Sequence, residues 1–335
     1  MYMNSVKDLI RVVGKNVAAI SNATVWKFRT LIVALVGLAI TITPYAAQAQ
    51  YSGGVTAASF LKVGTDARGA GLGGAFTAVA DNGSAAHWNP AGLVGASRSQ
   101  LMLSHFSWLQ DVNIENIAVS TPINERFVLG GNFTYVNYGT IAGYSESNIA
   151  TGDIGVYDFA GSVSFGMQMT DNLGLGTSLK IVRQSLGDNV SSSAFAFDAG
   201  ALLKVNDISF GATLNNIGQK MTFIQQSDAL PASARFGIAA NALNNTAIGA
   251  VDVEVPFDGE VVVRSGLEYN FQGAYFLRGG YSFFPTQDER DFGSGVAFGA
   301  GMRLNNYQID YAFSPAENLN AEAIHRFSLS VNFGG

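Results

Sequence analysis

The chain contains no cysteine, so neither disulfides nor thiolate metal sites contribute to it. Its three histidines, His87, His105 and His325, stand too far apart for ligand spacing, and no metal centre or other cofactor is expected. Charged residues make up only 13%, about half the usual share of a soluble domain. After residue 49 there is no Lys/Arg cluster, which argues against nucleic acid as a partner. Nor does any later segment approach 18 continuous apolar residues, so membrane-spanning helices are excluded there. Yet 48% of the residues are hydrophobic and 39 are glycine. That much apolar surface, never gathered into a long run, must be spread over many short elements.

The N-terminus is the exception. Lys7, Arg11, Lys15, Lys27 and Arg29 precede the thirteen-residue run Leu31 to Thr43, followed by Pro44 and the small-residue sequence Ala47, Gln48, Ala49. This reads as a secretory signal peptide over residues 1–49; the run falls short of the roughly 20 residues a spanning helix needs. The five basic residues and Asp8 would leave with it. That leaves 14 basic against 24 acidic residues and takes the net charge from −6 to −10.

What is present is alternation. In the last segment His325, Phe327, Leu329, Val331 and Phe333 share one face and Arg326, Ser328, Ser330 and Asn332 the other, the period of a strand with one greasy and one wet side. Fourteen strands are predicted: 99–108, 113–122, 125–139, 154–168, 172–184, 192–205, 207–217, 231–243, 246–255, 260–271, 274–284, 291–304, 306–313 and 324–333. Connections after even strands are short and rich in Asn, Asp and Gly; those after odd strands are mostly long, including 140–153 and 218–230. This parity predicts a 14-stranded antiparallel outer-membrane β-barrel over residues 99–333, an all-β membrane protein with both barrel termini periplasmic.

Charge follows the same phase. With bulky apolar residues facing lipid, Arg235, Asp252, Glu254, Arg264, Glu268, Arg278, Arg303, Asp310 and Arg326 all point inward. A lipid-facing Arg or Lys at the midplane would cost about 2–4 kcal/mol, so a lumen network of ion pairs and hydrogen bonds is expected from these nine. Many other inward positions are glycine: Gly174, Gly176, Gly200, Gly211, Gly237, Gly266, Gly280, Gly293, Gly295, Gly299 and Gly301. Wall glycines admit another backbone at close range, and fourteen strands enclose more room than side chains alone fill. Residues 50–98, rich in Gly and Ala, are the available filler, an N-terminal plug in the lumen. Gly69, Gly71 and Gly74 formally match a dinucleotide fingerprint, but no buried strand precedes them, and that reading is set aside.

One motif could carry chemistry. His105 and Ser107 share a strand face, with Asn113 and Asn116 across the hairpin, an arrangement similar to the Ser-His-Asn site of the outer-membrane phospholipase. The plainer reading, a rim histidine among girdle aromatics Phe106 and Trp108, is preferred, and no catalytic residue is assigned.

The stretch Asp66-Ala67-Arg68, then Gly71-Leu72-Gly73-Gly74-Ala75-Phe76 and His87-Trp88-Asn89-Pro90-Ala91-Gly92-Leu93, resembles the N-terminal hatch of the PorV/PorQ family, a branch of the FadL-like barrels. The chain end, Asp310-Tyr311-Ala312-Phe313 and His325-Arg326-Phe327-Ser328-Leu329, is similar to that family too. The resemblance implies a non-enzymatic outer-membrane protein serving type IX secretion, with the translocon or the C-terminal signal domains of cargo as partners besides membrane lipid. A passive transporter of hydrophobic small molecules is the alternative. It also implies that Asp66, Arg68, Gly71, Gly73, Gly74, Asn89, Pro90 and Ala91 belong to the hatch, with Asn89 and Pro90 structural.

Overall fold

The computed structural model describes residues 56–108, 112–144, 147–187, 190–283, 295–315 and 323–334. The segment 1–49 expected as a signal peptide, residues 50–55 of the expected hatch, and Gly293 lie outside the described residues.

Among the described residues there are sixteen strands: β1 (Ser99–Ser107), β2 (Asn113–Pro122), β3 (Phe127–Tyr144), β4 (Ala150–Thr170), β5 (Leu173–Ser185), β6 (Ser191–Val205), β7 (Ile208–Gly218), β8 (Met221–Phe223), β9 (Gln226–Asp228), β10 (Ser233–Ala242), β11 (Ala247–Pro256), β12 (Val262–Phe271), β13 (Tyr275–Phe283), β14 (Val296–Leu304), β15 (Tyr307–Ser314) and β16 (Ile324–Phe333). Fourteen close into one antiparallel barrel, each strand beside its sequence neighbour and β1 sealing against β16; β8 and β9 form a separate hairpin. All fourteen wall strands coincide with the alternating segments. Closure removes the sheet edges, as a bilayer requires of a strand-built wall, because unpaired backbone groups in lipid are costly.

Side-chain alternation follows from that closure. Along β16, Ile324, Arg326, Ser328 and Ser330 are buried while His325, Phe327, Leu329 and Phe333 are exposed. The outward residues form the apolar belt that lipid wets. Among the described residues no helix is long and apolar enough to cross a membrane; the crossing is made by strands.

Short turns keep to one rim. Asn206, Asn244, Asn245, Gln272 and Asn305 all adopt positive φ there, a backbone region that asparagine tolerates better than most residues. Two long connections differ from expectation. The span 140–153 is largely strand, since β3 and β4 run 18 and 21 residues against 8–15 for the other wall strands. As about 9–11 residues cross a bilayer, this pair projects past the membrane. The span 218–230 contains the β8–β9 hairpin, paired Met221↔Asp228 and Phe223↔Gln226.

Residues 56–98 precede β1 and pack on the inward face of the wall. They hold two short helices, α1 (Ala67–Gly71) and α2 (Ala85–Trp88), and two 3-10 turns, Ser59–Lys62 and Pro90–Gly95. Ala57, Ala58, Phe60 and Val63 pack with Phe106, Ile114, Val136, Val182 and Met221, and Ala57 N–H donates to Ala229 O at 2.9 Å, all toward the long-connection rim. The segment then crosses to the short-turn rim, where Leu93 abuts Gly130 and Gly166.

Candidate functional site

The seam between residues 56–98 and the inner wall concentrates the buried polar groups. Asp66 caps α1: its Oδ1 accepts from Gly69 N at 2.8 Å and its Oδ2 from Trp88 Nε1 at 2.6 Å. One carboxylate thus ties α1 to α2. Arg68 grips Glu268 with Nε and Nη2, both at 2.9 Å, and reaches Asp81 with Nη1 at 2.5 Å. Burial alone would lower this guanidinium, but Asp81 and Glu268 outweigh it and hold it above its ordinary value. The α1 backbone amide of Ala67 donates to Ser328 Oγ at 2.9 Å, and Ser282 Oγ donates to Gly73 O at 2.6 Å.

The nine inward charges divide into groups. Glu268 accepts from Arg278 Nε at 2.6 Å, and Arg278 Nη1 donates to Asp310 at 2.7 Å, so Arg68, Glu268, Arg278 and Asp310 form one chain. Glu254 lies between Arg235 (2.9 Å) and Arg264 (2.6 Å) in a second cluster. Asp252 joins no ion pair in these clusters; its Oδ2 accepts from Phe76 N at 2.9 Å and Thr77 N at 2.8 Å. Arg326 lies over the Phe106 ring at 4.4 Å. Arg303 is exposed at the short-turn end, donating to Gln308.

Asn89 is wholly buried. Its Oδ1 accepts from Ala91 N at 3.1 Å, capping the Pro90–Gly95 turn, while Nδ2 donates to Thr77 O at 2.8 Å and Ala201 O at 3.2 Å. Beneath it Gly166, Gly176 and Gly200 stand in register across β4, β5 and β6. A Cβ on Gly176 would overlap Pro90 C and Ala91 N, and one on Gly200 would overlap Asn89 Oδ1. On the opposite arc Gly266 meets Leu72, Gly280 meets Gly73, and Gly299 lies tight against Gly71. Gly295 and Gly301 face wall side chains instead, Tyr281 and Asp310.

Two polar groups were missed by sequence reasoning, although the same alternation points them inward. Lys180 Nζ pairs with Asp198 at 3.0 Å and donates to Asn216 at 2.6 Å. Asp158 accepts from Tyr138 Oη at 2.9 Å and Gln184 Nε2 at 3.1 Å. Near the former sits His87, where burial first and then Lys180 and Arg235 push the imidazole down to about 3, leaving it neutral.

The hairpin motif is corrected. His105 Nδ1 pairs with Glu115 at 2.7 Å on the outer surface and Ser107 donates to Asn113 at 2.9 Å. Asn116 points inward to Asn132 and Thr134, because it follows Glu115 by one residue and therefore takes the other face. Phe106, for the same reason, is a fully buried lumen residue and not part of a girdle.

A closed fourteen-stranded wall with an apolar outside and an ion-paired inside defines an outer-membrane β-barrel protein of FadL-like fold. The family model described as Type IX secretion system protein PorV matches residues 46–258, more than half of the chain, and the protein belongs to that family. Solved structures with similar folds include a Pseudomonas aeruginosa FadL homologue (13% identity, TM-score 0.54, 81% of this chain and 98% of that one). The Pseudomonas putida toluene transporter TodX matches at 13% identity and TM-score 0.57, over 81% and 99% of the two chains. The monoaromatic hydrocarbon channel CymD matches at 14% and 0.58, over 81% and 98%. At such identities the likeness concerns fold alone. No match was found among curated protein sequences.

Proposed function

We propose that this barrel is a non-enzymatic adaptor of type IX secretion, engaging the translocon or the C-terminal signal domains of cargo through its long connections. Family membership carries the reading. In it the short-turn rim and both barrel termini face the periplasm, the long connections face outward, and residues 50–98 are a hatch that plugs the lumen of a barrel spanning 99–333. The projecting β3–β4 pair and the β8–β9 hairpin support a recognition role, since loops on a rigid scaffold are where recognition is built. Ile224 at the hairpin tip is 85% exposed and adopts φ 56, a costly conformation for a β-branched residue. Affinity purification in mild detergent should recover a large translocon barrel or a cargo signal domain. A chain that always elutes alone, from cells actively secreting cargo, would sink the adaptor reading.

The second reading is passive transport of hydrophobic compounds. It is favoured by an apolar hollow of about 520 Å³ on the outer wall, lined by Ile117, Val119, Phe133, Val163 and Ile181 around Gly131 and Gly161. The small, polar inner face disfavours it. Equal uptake of a labelled alkane by cells with and without the gene would eliminate it.

A further inference from the structure

Toward the long-connection rim the hatch segment and the wall leave a cavity of about 90 Å³. Its ionisable lining is Lys62, Arg235, Arg264, Arg326, Glu254 and Asp258, four cations against two carboxylates. Glu254 is shared between Arg235 and Arg264, so a single negative charge answers two guanidinium groups. Arg235 and Arg326 are each more than nine-tenths buried, and each keeps an Nε–H with no hydrogen-bond partner. Of the neighbouring carboxylates, Asp66 is taken by Gly69 N and Trp88, and Asp252 accepts the amides of Phe76 and Thr77 through Oδ2 while its buried Oδ1 takes a hydrogen bond from neither arginine.

Buried guanidinium donors without acceptors are costly, and the wall could have satisfied them cheaply with one more carboxylate. Leaving them open suits an acceptor that comes and goes. We propose that this cavity is a binding site for a phosphate-type oxyanion, held by the forks of Arg235, Arg264 and Arg326. Three features select that class. Planar guanidinium groups match tetrahedral and carboxylate oxyanions in paired hydrogen bonds. The enclosed volume is well below the roughly 300 Å³ at which drug-sized ligand pockets begin, so the cavity takes a small head group and not an extended apolar body. The rigid ring of Phe106 under Arg326 holds one donor in place before binding. The anion is either free phosphate or the phosphate of a lipid or saccharide head group reaching in from the long-connection rim. The inference is independent of the secretion reading.

The test uses the full chain refolded in detergent, with binding followed by isothermal titration calorimetry in two arms, inorganic phosphate and glycerol 3-phosphate. Saturable one-to-one binding is expected, weakened at least tenfold in Arg326→Gln and in Arg235→Gln. Arg326→Lys should regain part of the loss. Each variant is checked for retained heat-modifiable migration, and Lys62→Gln, which removes one lining cation without touching a wall strand, should weaken binding as well. Binding of inorganic phosphate with glycerol 3-phosphate no tighter assigns a free anion; clearly tighter glycerol 3-phosphate assigns a head group. Absence of binding in both arms, or unchanged affinity in the folded arginine variants, overturns the proposal.

Discussion

Two halves of the segment 56–98 both rest on wall glycines, but only the first adds charge to that contact. Its first half, Asp66 to Thr77, seats Gly71, Leu72 and Gly73 on Gly299, Gly266 and Gly280 and is held by charge as well: Arg68 on Glu268, and the amides of Phe76 and Thr77 on Asp252. The second half, Asn89 to Val94, makes no ion pair of this kind and lies on the glycine row of β4, β5 and β6. Charge contacts act over several ångströms and can be traded for other partners. A glycine contact is steric, all or nothing within half an ångström. The charge contacts of the first half can therefore be loosened and re-tied by paired substitutions, whereas the glycine seats of either half are a template that no partner change restores.

The largest expected effect comes from breaking the charged half. Glu268→Gln leaves Arg68 and Arg278 facing a neutral amide, and removing one partner of a buried ion pair costs about 3–5 kcal/mol. Asp81 and Asp310 still face these two arginines, so a loss near about 3 kcal/mol is expected in urea unfolding of the refolded barrel. Adding Arg68→Gln should recover part of it, a coupling that a double-mutant cycle measures; strict additivity would show that the pair is not coupled. Under the second half, Gly176→Ala forces a methyl into Pro90 and Ala91, an overpacking cost of about 1–3 kcal/mol. Protease should then cut near residues 89–95 while the wall strands stay protected. No compensating change at Pro90 should restore the wild-type pattern, because the clash is with backbone.

The wall was legible because lipid enforces it. Every residue crossing the hydrocarbon must take a side, so the fourteen strands show themselves by period two, and the short turns by asparagine. Past the membrane that pressure ends, which is why 140–153 reads as loop although β3 and β4 still pair there, as at Thr140↔Gly155 and Ala142↔Asp153. The segment 56–98 was legible in composition only. Its helices are four and five residues long, too short to display a helical period, and its partners on the wall include ones 112 and 261 positions away in sequence. The wall glycines pointed toward a close-packed backbone, but nothing in the spacing assigns Pro90 to Gly176 or Gly73 to Gly280. The grouping of charges was hidden for the same reason: alternation tells which face a residue takes, not which neighbour it meets. Arg303 and Arg278 share a phase, yet the first is exposed at a rim and the second ion-paired at mid-wall.

A smaller effect should come from Asn89→Ala. It removes the cap on Ala91 N and leaves Thr77 O and Ala201 O each short of a donor, a loss of about 1–2 kcal/mol. Asn89→Asp should recover only the cap, since a carboxylate accepts from Ala91 but cannot donate to the two carbonyls. If both variants lose the same amount, the cap contributes nothing and the seat is purely steric.

The smallest effect is expected on the outside of the wall, where neither half of the hatch reaches. His105 and Glu115 pair at 2.7 Å on adjacent strands with both side chains half exposed, and exposed pairs are worth about 0.2–1 kcal/mol. Glu115→Gln should therefore shift the unfolding midpoint barely at all and leave protease cutting of residues 56–98 unchanged. The same substitution probes the hairpin chemistry directly. Were His105 a base acting on Ser107, losing the carboxylate that orients its ring would abolish any phospholipid cleavage by the purified barrel. As a structural rim pair, the variant should behave like the parent in both stability and lipid turnover.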